Sequence, residues 1–98
     1  MTTYKLVFRT RARKAFDRLD KAIRRQFSKK LAERLNNPRV PAHKLRSMPD
    51  CYRINLRSAG FRLIYRVEDD RMVVLVIAVA SCADDEAYDN ALIELSRL

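Results

Sequence analysis

The chain has one glycine and three prolines among its 98 residues. That leaves little from which to build linkers, so a single domain spanning residues 1–98 is expected, large enough for one modest core. No apolar run approaches the roughly 18 residues that a membrane-spanning helix needs, so no membrane partner is expected. The first ten residues, MTTYKLVFRT, lack the apolar core of a secretory signal, which predicts a cytoplasmic protein. Cysteine and histidine are too few for a metal cluster: Cys51 and Cys82 are far apart and His43 stands alone. The sequence therefore predicts no metal and no cofactor, with both cysteines as buried free thiols. His43 has an intrinsic pKa near neutrality, suited to a general base, although a lone loop histidine also reads as an ordinary side chain.

Acidic residues are also scarce over much of the chain. Residues 1–66 hold 19 Lys and Arg against 4 Asp and Glu, whereas residues 67–98 hold 2 against 8. The apolar share of 48% and charged share of 34% fit a folded protein rather than a disordered one. A block this basic attracts nucleic acid or an acidic protein, with an affinity that falls steeply as salt rises.

What is present is organised around Cys51 to Val67, CYRINLRSAGFRLIYRV. Tyr52, Ile54 and Leu56 alternate with Arg53, Asn55 and Arg57, and Phe61, Leu63, Tyr65 and Val67 alternate with Arg62, Ile64 and Arg66. Two half-buried strands have that period, and Ser58-Ala59-Gly60 supplies the turn of a hairpin. Residues opposite one another share a face, so the tightest register sets Leu56 against Phe61, Asn55 against Arg62 and Arg53 against Ile64. The face away from the core then gathers Arg53, Asn55, Arg57, Arg62 and Arg66. Guanidiniums on a rigid sheet suit phosphate, because each presents a fixed fork of donors and stays charged.

Ahead of this hairpin, Tyr4, Leu6 and Phe8 mark a first strand. Thr10 is placed to cap a helix striped by Ala12, Ala15, Phe16 and Leu19, and Asp20 a second one striped by Ile23, Phe27, Leu31 and Leu35 and stopped at Asn36-Asn37-Pro38. The outer faces of this helical hairpin carry ten cations, among them Arg24, Arg25, Lys29, Lys30 and Arg34. Residues 38–50 have no regular period and read as a loop, whose Lys44 and Arg46 extend the basic face. Met72–Ala80 is a nearly continuous apolar run, expected as a strand buried on both faces at the centre of the sheet. A last helix follows, with Tyr88, Ala91, Leu92 and Leu95 as its apolar stripe. The order β α α β β β α predicts an α+β domain: a strand and helical hairpin, then an antiparallel three-strand meander and a C-terminal helix, with the helices on one side of an antiparallel sheet.

The segment HKLRSMPDCYRINLRSAGFRLIYRVEDDRMVVLVIAVA resembles the RelE family of bacterial toxins. The motifs KLR and MPDCY, the basic strand, the hairpin with its single glycine and the valine-rich strand appear in the family's order, and the likeness extends over nearly the whole chain. It implies the RelE-like, microbial-RNase-type fold and the toxin of a type II toxin–antitoxin pair. It also implies a ribosome-dependent mRNA endonuclease cutting A-site codons without metal, by attack of a ribose 2′-OH on the adjacent phosphodiester. The implied partners are a RelB-like antitoxin, the 70S ribosome through its 16S rRNA and A site, and mRNA, with operator DNA reached only through the antitoxin complex.

By position, the resemblance makes Arg53, Arg62 and Tyr88 the catalytic residues. Arg53 stands where the family has a lysine that helps activate the nucleophile; an arginine is a poor proton acceptor and suits phosphate stabilisation. Arg62 matches the arginine that binds the scissile phosphate, and Tyr88 the tyrosine that stacks on the mRNA base and orients the 2′-OH. Lys44, Arg46, Arg57, Arg24, Arg25, Lys29 and Lys30 are the expected RNA- and ribosome-binding cations. Two positions depart from the family: Asn55 replaces a second basic residue, and Cys82, in the run Ser81-Cys82-Ala83-Asp84, replaces an arginine that assists the leaving group. The catalytic set is thus short of cations, which leaves open a slow toxin, an attenuated variant or a toxin using its residues differently. The alternatives are a ParE-like toxin that inhibits DNA gyrase without cutting RNA, and a catalytically dead antitoxin-binding corepressor.

Overall fold

A computed structural model describes residues 3–82 and 85–98. Ala83 and Asp84, in the segment where the family's basic run is expected, lie outside the described residues. Strand β1 (Lys5–Phe8) leads into helices α1 (Thr10–Asp17) and α2 (Lys21–Asn36), followed by strands β2 (Cys51–Leu56), β3 (Phe61–Glu68) and β4 (Val73–Ser81) and helix α3 (Glu86–Ser96). Thr10 is the first helical residue of α1 rather than its cap, a position held by Arg9 in extended conformation. Asp20 does occupy the N-cap position of α2, but without a side-chain capping hydrogen bond. Pro38 stops α2 because the residue before a proline is pushed out of the helical region, as Asn37 is at φ −150° and ψ 79°.

The four strands form one sheet in the order β1-β4-β3-β2. The hairpin of β2 and β3 has the register expected from the faces, with Leu56 opposite Phe61, Asn55 opposite Arg62 and Arg53 opposite Ile64. Arg57 has left the strand and starts the turn, where Gly60 takes φ +74° and donates its N–H to the Leu56 carbonyl at 2.9 Å. The meander is antiparallel, but β1 runs parallel to β4, so the sheet as a whole is mixed. This corrects the wholly antiparallel expectation. Returning to β4 through two helices and a hairpin leaves the direction of β1 free of any tight-turn constraint.

The helices do not share one side. Phe16, Phe27 and Leu31 of α1 and α2 pack with Tyr52, Ile54, Leu63, Tyr65, Val74 and Val76 on one face. On the other face, Ala87 and Ala91 of α3, together with Leu45, Met48 and Cys51, cover Ile64, Leu75, Ile77 and Ala78. The physical reason was present in β4: a strand whose residues are apolar on both faces needs cover on both. A bulge helps, because the register slips between Ile64 and Tyr65, whose partners are Ala78 and Val76, and Ile77 is the extra residue. Ile77 and Ala78 consequently both belong to the α3 core.

Helix α3 seats its small side chains. Leu92, expected in its apolar stripe, is 50% exposed, while Glu94 is buried at 3% exposure and paired with Arg9 at 3.3 Å and Arg97 at 3.4 Å. No helix among the described residues is long and apolar enough to cross a membrane.

Candidate active site

Because α3 crosses the second face of the sheet, the expected row of cations is interrupted. Ile64, between Arg62 and Arg66 on β3, is fully buried in the α3 core. Arg66 lies on the far side of it, 3.9 Å from Glu68, in a separate depression with Arg39, Asp50 and Asp69. The other members come together: Arg53, Asn55, Arg57, Arg62, Cys82 and Tyr88 line one open cleft of about 430 Å³. Strands β2 and β3 form its floor and the first turn of α3 its wall.

Arg62 is the best-held cation in this cleft. Its Nε donates to Asn55 Oδ1 at 2.8 Å across the hairpin, and its guanidinium carbon lies 4.5 Å from the Tyr88 ring centroid. Asp85, the N-terminal cap of α3, comes within 3.8 Å of it from a left-handed backbone at φ 53°. The Arg62 side chain is 16% exposed. A guanidinium held from three directions has already lost much of its rotamer freedom, so little more is lost on binding an anion. Asn55 therefore does more than omit a charge: it orients the arginine opposite it. No sequence pattern signals Asp85, since its approach depends on how α3 docks.

Arg53 is half-buried, and its Nε is buried without a hydrogen-bond partner among the described residues. A buried donor in that state costs free energy until an acceptor arrives. Cys82 is partly exposed in the cleft, not buried as expected, and its N–H donates to the Gly60 carbonyl at 2.9 Å, fixing the end of β4 to the hairpin turn. Cys51 does meet the expectation: it is fully buried, and desolvation pushes its thiol up to about 11.

A second depression, of about 490 Å³, adjoins the first across the edge strand β2 and shares Arg53, Asn55 and Arg57 with it. Lys30 and Arg34 of α2 line it, as does His43. Arg34, expected on an outer helix face, turns inward and donates to the Tyr65 hydroxyl at 2.8 Å and the Arg53 carbonyl at 3.4 Å. Burial, followed by the charges of Arg34, Arg53 and Lys30, holds the His43 imidazole below its ordinary pKa. Of the other expected RNA-binding cations, Lys44, Arg46, Arg25 and Lys29 are exposed and Arg24 is half-buried, and none lines either depression.

A mixed four-stranded sheet, helices on both faces and a cleft over its edge hairpin lined by guanidiniums and a tyrosine define a small α+β protein. The chain belongs to the RelE/ParE family of type II toxin–antitoxin toxins. Residues 6–86 match the family described as the ParE toxin of the type II toxin–antitoxin system parDE. The mRNA interferase toxin RelE of Escherichia coli (strain K12) is 48% identical over 89 residues, covering 91% of this chain and 94% of that protein. A free-state structure of E. coli RelE with two arginines replaced by alanine superposes with a TM-score of 0.89 at 46% identity, covering 95% of this chain and 98% of that one. RelE in the intact E. coli RelBE toxin–antitoxin complex superposes at 0.78 with 51% identity, over 80% of this chain and 95% of that one.

Proposed function

We propose that this chain is an mRNA interferase: a cytoplasmic toxin that enters the ribosomal A site and cuts the mRNA there by attack of a ribose 2′-OH on the adjacent phosphodiester. The observation that carries this reading is the restrained Arg62, oriented by Asn55 and set against Tyr88 beside an Arg53 whose Nε has no hydrogen-bond partner among the described residues. Charge that develops on the phosphorane is stabilised best by donors already in position, because no reorganisation is then needed during the reaction. Arg53 and Arg62 hold the scissile phosphate and Tyr88 stacks on the base, while Arg57 and Lys30 hold the flanking backbone. The exposed cations Lys44, Arg46, Arg25 and Lys29, with the half-buried Arg24, face ribosomal RNA.

A RelB-like antitoxin masks this charge, and operator DNA is reached through that complex. The 48% identity to an mRNA interferase and the likeness to RelE in its antitoxin complex support both halves of this reading. The ParE description of the matching family keeps gyrase inhibition as the second reading.

Primer extension on programmed ribosomes with an empty A site separates the two. Cleavage by the protein, reduced about 10²- to 10³-fold in Arg62→Ala, is the expected result. No cleavage, together with stabilised gyrase–DNA complexes, overturns the nuclease reading in favour of ParE-type inhibition.

A further inference from the structure

Among the described residues that line the cleft, cations are abundant and none is suited to taking a proton near neutral pH, while the Asp85 carboxylate at its rim is set against Arg62. Arg53, Arg57 and Arg62 stay protonated, Asn55 does not titrate, and tyrosine and cysteine ordinarily ionise well above neutrality. Attack by a 2′-OH nevertheless needs an acceptor for its proton. His43 is the single histidine of the chain, and it stands in the depression that adjoins the cleft.

Its placement is built rather than incidental. The loop that carries it is fastened to the edge of β2 by an antiparallel bridge between Lys44 and Tyr52 and by the Leu45 N–H donating to the Cys51 carbonyl at 2.9 Å. Continuing that antiparallel register by one residue brings His43 abreast of Arg53. His43 ends a short 3-10 turn that begins at Pro41, and its N–H donates to the Val40 carbonyl at 3.0 Å. The start of the loop is held as well, because the Tyr65 hydroxyl donates to the Pro38 carbonyl at 2.6 Å. His43 and Arg53 line the same depression, and Arg53 also lines the cleft.

We propose that His43 is the general base of this enzyme, taking the 2′-OH proton of the nucleotide whose 3′ phosphate Arg53 and Arg62 hold. The proposal rests on the nuclease reading above. In the step, the 2′-oxygen forms a bond to phosphorus as its proton passes to the neutral imidazole. The bond from phosphorus to the 5′-oxygen breaks, giving a 2′,3′-cyclic phosphate. The departing 5′-oxygen takes a proton from water, and the imidazolium returns its own to water. The charged groups facing His43 are Lys30 and Arg34 from α2 and Arg53 from β2, with Arg57 further along the same depression. All are cations, and after burial, the larger cause, they lower the imidazole pKa and so favour the unprotonated form that the role requires.

The test is single-turnover cleavage of ribosome-bound mRNA by the full chain as a function of pH, with His43→Asn and His43→Ala compared under the same conditions. The wild-type rate is expected to rise with pH and then level off, with a midpoint below the ordinary imidazole value of 6.5. His43→Asn keeps hydrogen-bonding capacity but cannot accept the proton; its rate should fall about 10²-fold and keep rising through neutral pH. Its affinity for programmed ribosomes should be unchanged. Added imidazole should restore part of the activity of His43→Ala, a result that a misfolded variant does not give. If the wild type cuts and His43→Asn matches it in rate and pH profile, the proposal is wrong and the nuclease reading survives. A loss traced wholly to weaker ribosome binding also overturns it, and a wild type that never cuts removes both readings.

Discussion

Replacing Cys82 with arginine adds a fourth cation to a cleft that already holds Arg53, Arg57 and Arg62. The position is well placed to receive it: Cys82 is partly exposed, and its backbone is anchored to Gly60. Two effects oppose each other. At a separation of about 8 Å in a water-like dielectric, each new repulsion costs ~0.5 kcal/mol, so three together destabilise the fold by ~1–2 kcal/mol, and less at physiological salt. In the transition state, a donor aimed at the charge on the phosphorane or the departing 5′-oxygen contributes about 3–4 kcal/mol. The gain exceeds the cost, so Cys82→Arg should lower the melting temperature by several degrees while raising single-turnover cleavage of A-site mRNA about 10²-fold or more. The assay is primer extension under saturating toxin, alongside thermal unfolding of each protein. A folded, ribosome-binding Cys82→Arg variant with no faster cleavage would refute the reasoning, because it would mean that the leaving group needs no cation at this corner.

Two further outcomes follow from the burial of particular side chains. A thiol reagent applied to the native protein near pH 8 should modify Cys82 and leave Cys51 intact, since Cys51 is fully buried with its pKa pushed up to about 11; mass spectrometry of the labelled peptides checks this, and unfolding should expose the second thiol. Phe27→Ala removes a fully buried ring packed 6.5 Å from the Phe16 ring centroid and should cost about 3–5 kcal/mol of stability in denaturant titrations, with α2 loosened from β2.

Elements with a strong period were readable without a structure. Arg53, Asn55 and Arg62 were placed on one face by alternation, because side chains in a strand change face at every residue, and in their observed register by adding the tightest turn through Gly60. The apolar run that became β4 announced a strand covered on both sides for the same reason. Arg53, Arg62 and Tyr88 could be named together only through the family resemblance, in which Arg53 stands at a lysine position, since nothing in their spacing brings α3 to the hairpin.

Tertiary structure decided the rest, wherever an interaction joins residues distant in sequence. The docking of α3 over Ile64 split the row of arginines, left Arg66 with Glu68 and took Asp85 to Arg62. The parallel course of β1 beside β4 depends on a long connection whose entropy hardly favours either direction. Cys82 was read as buried from residue type, and it is half-open because the end of β4 emerges at the rim of the cleft. His43 looked like an ordinary loop residue until the Lys44–Tyr52 bridge set its loop beside Arg53. Local pattern determines which face a residue presents, since backbone geometry repeats within an element; which faces meet is set by packing between elements, and that information is not carried by any one of them.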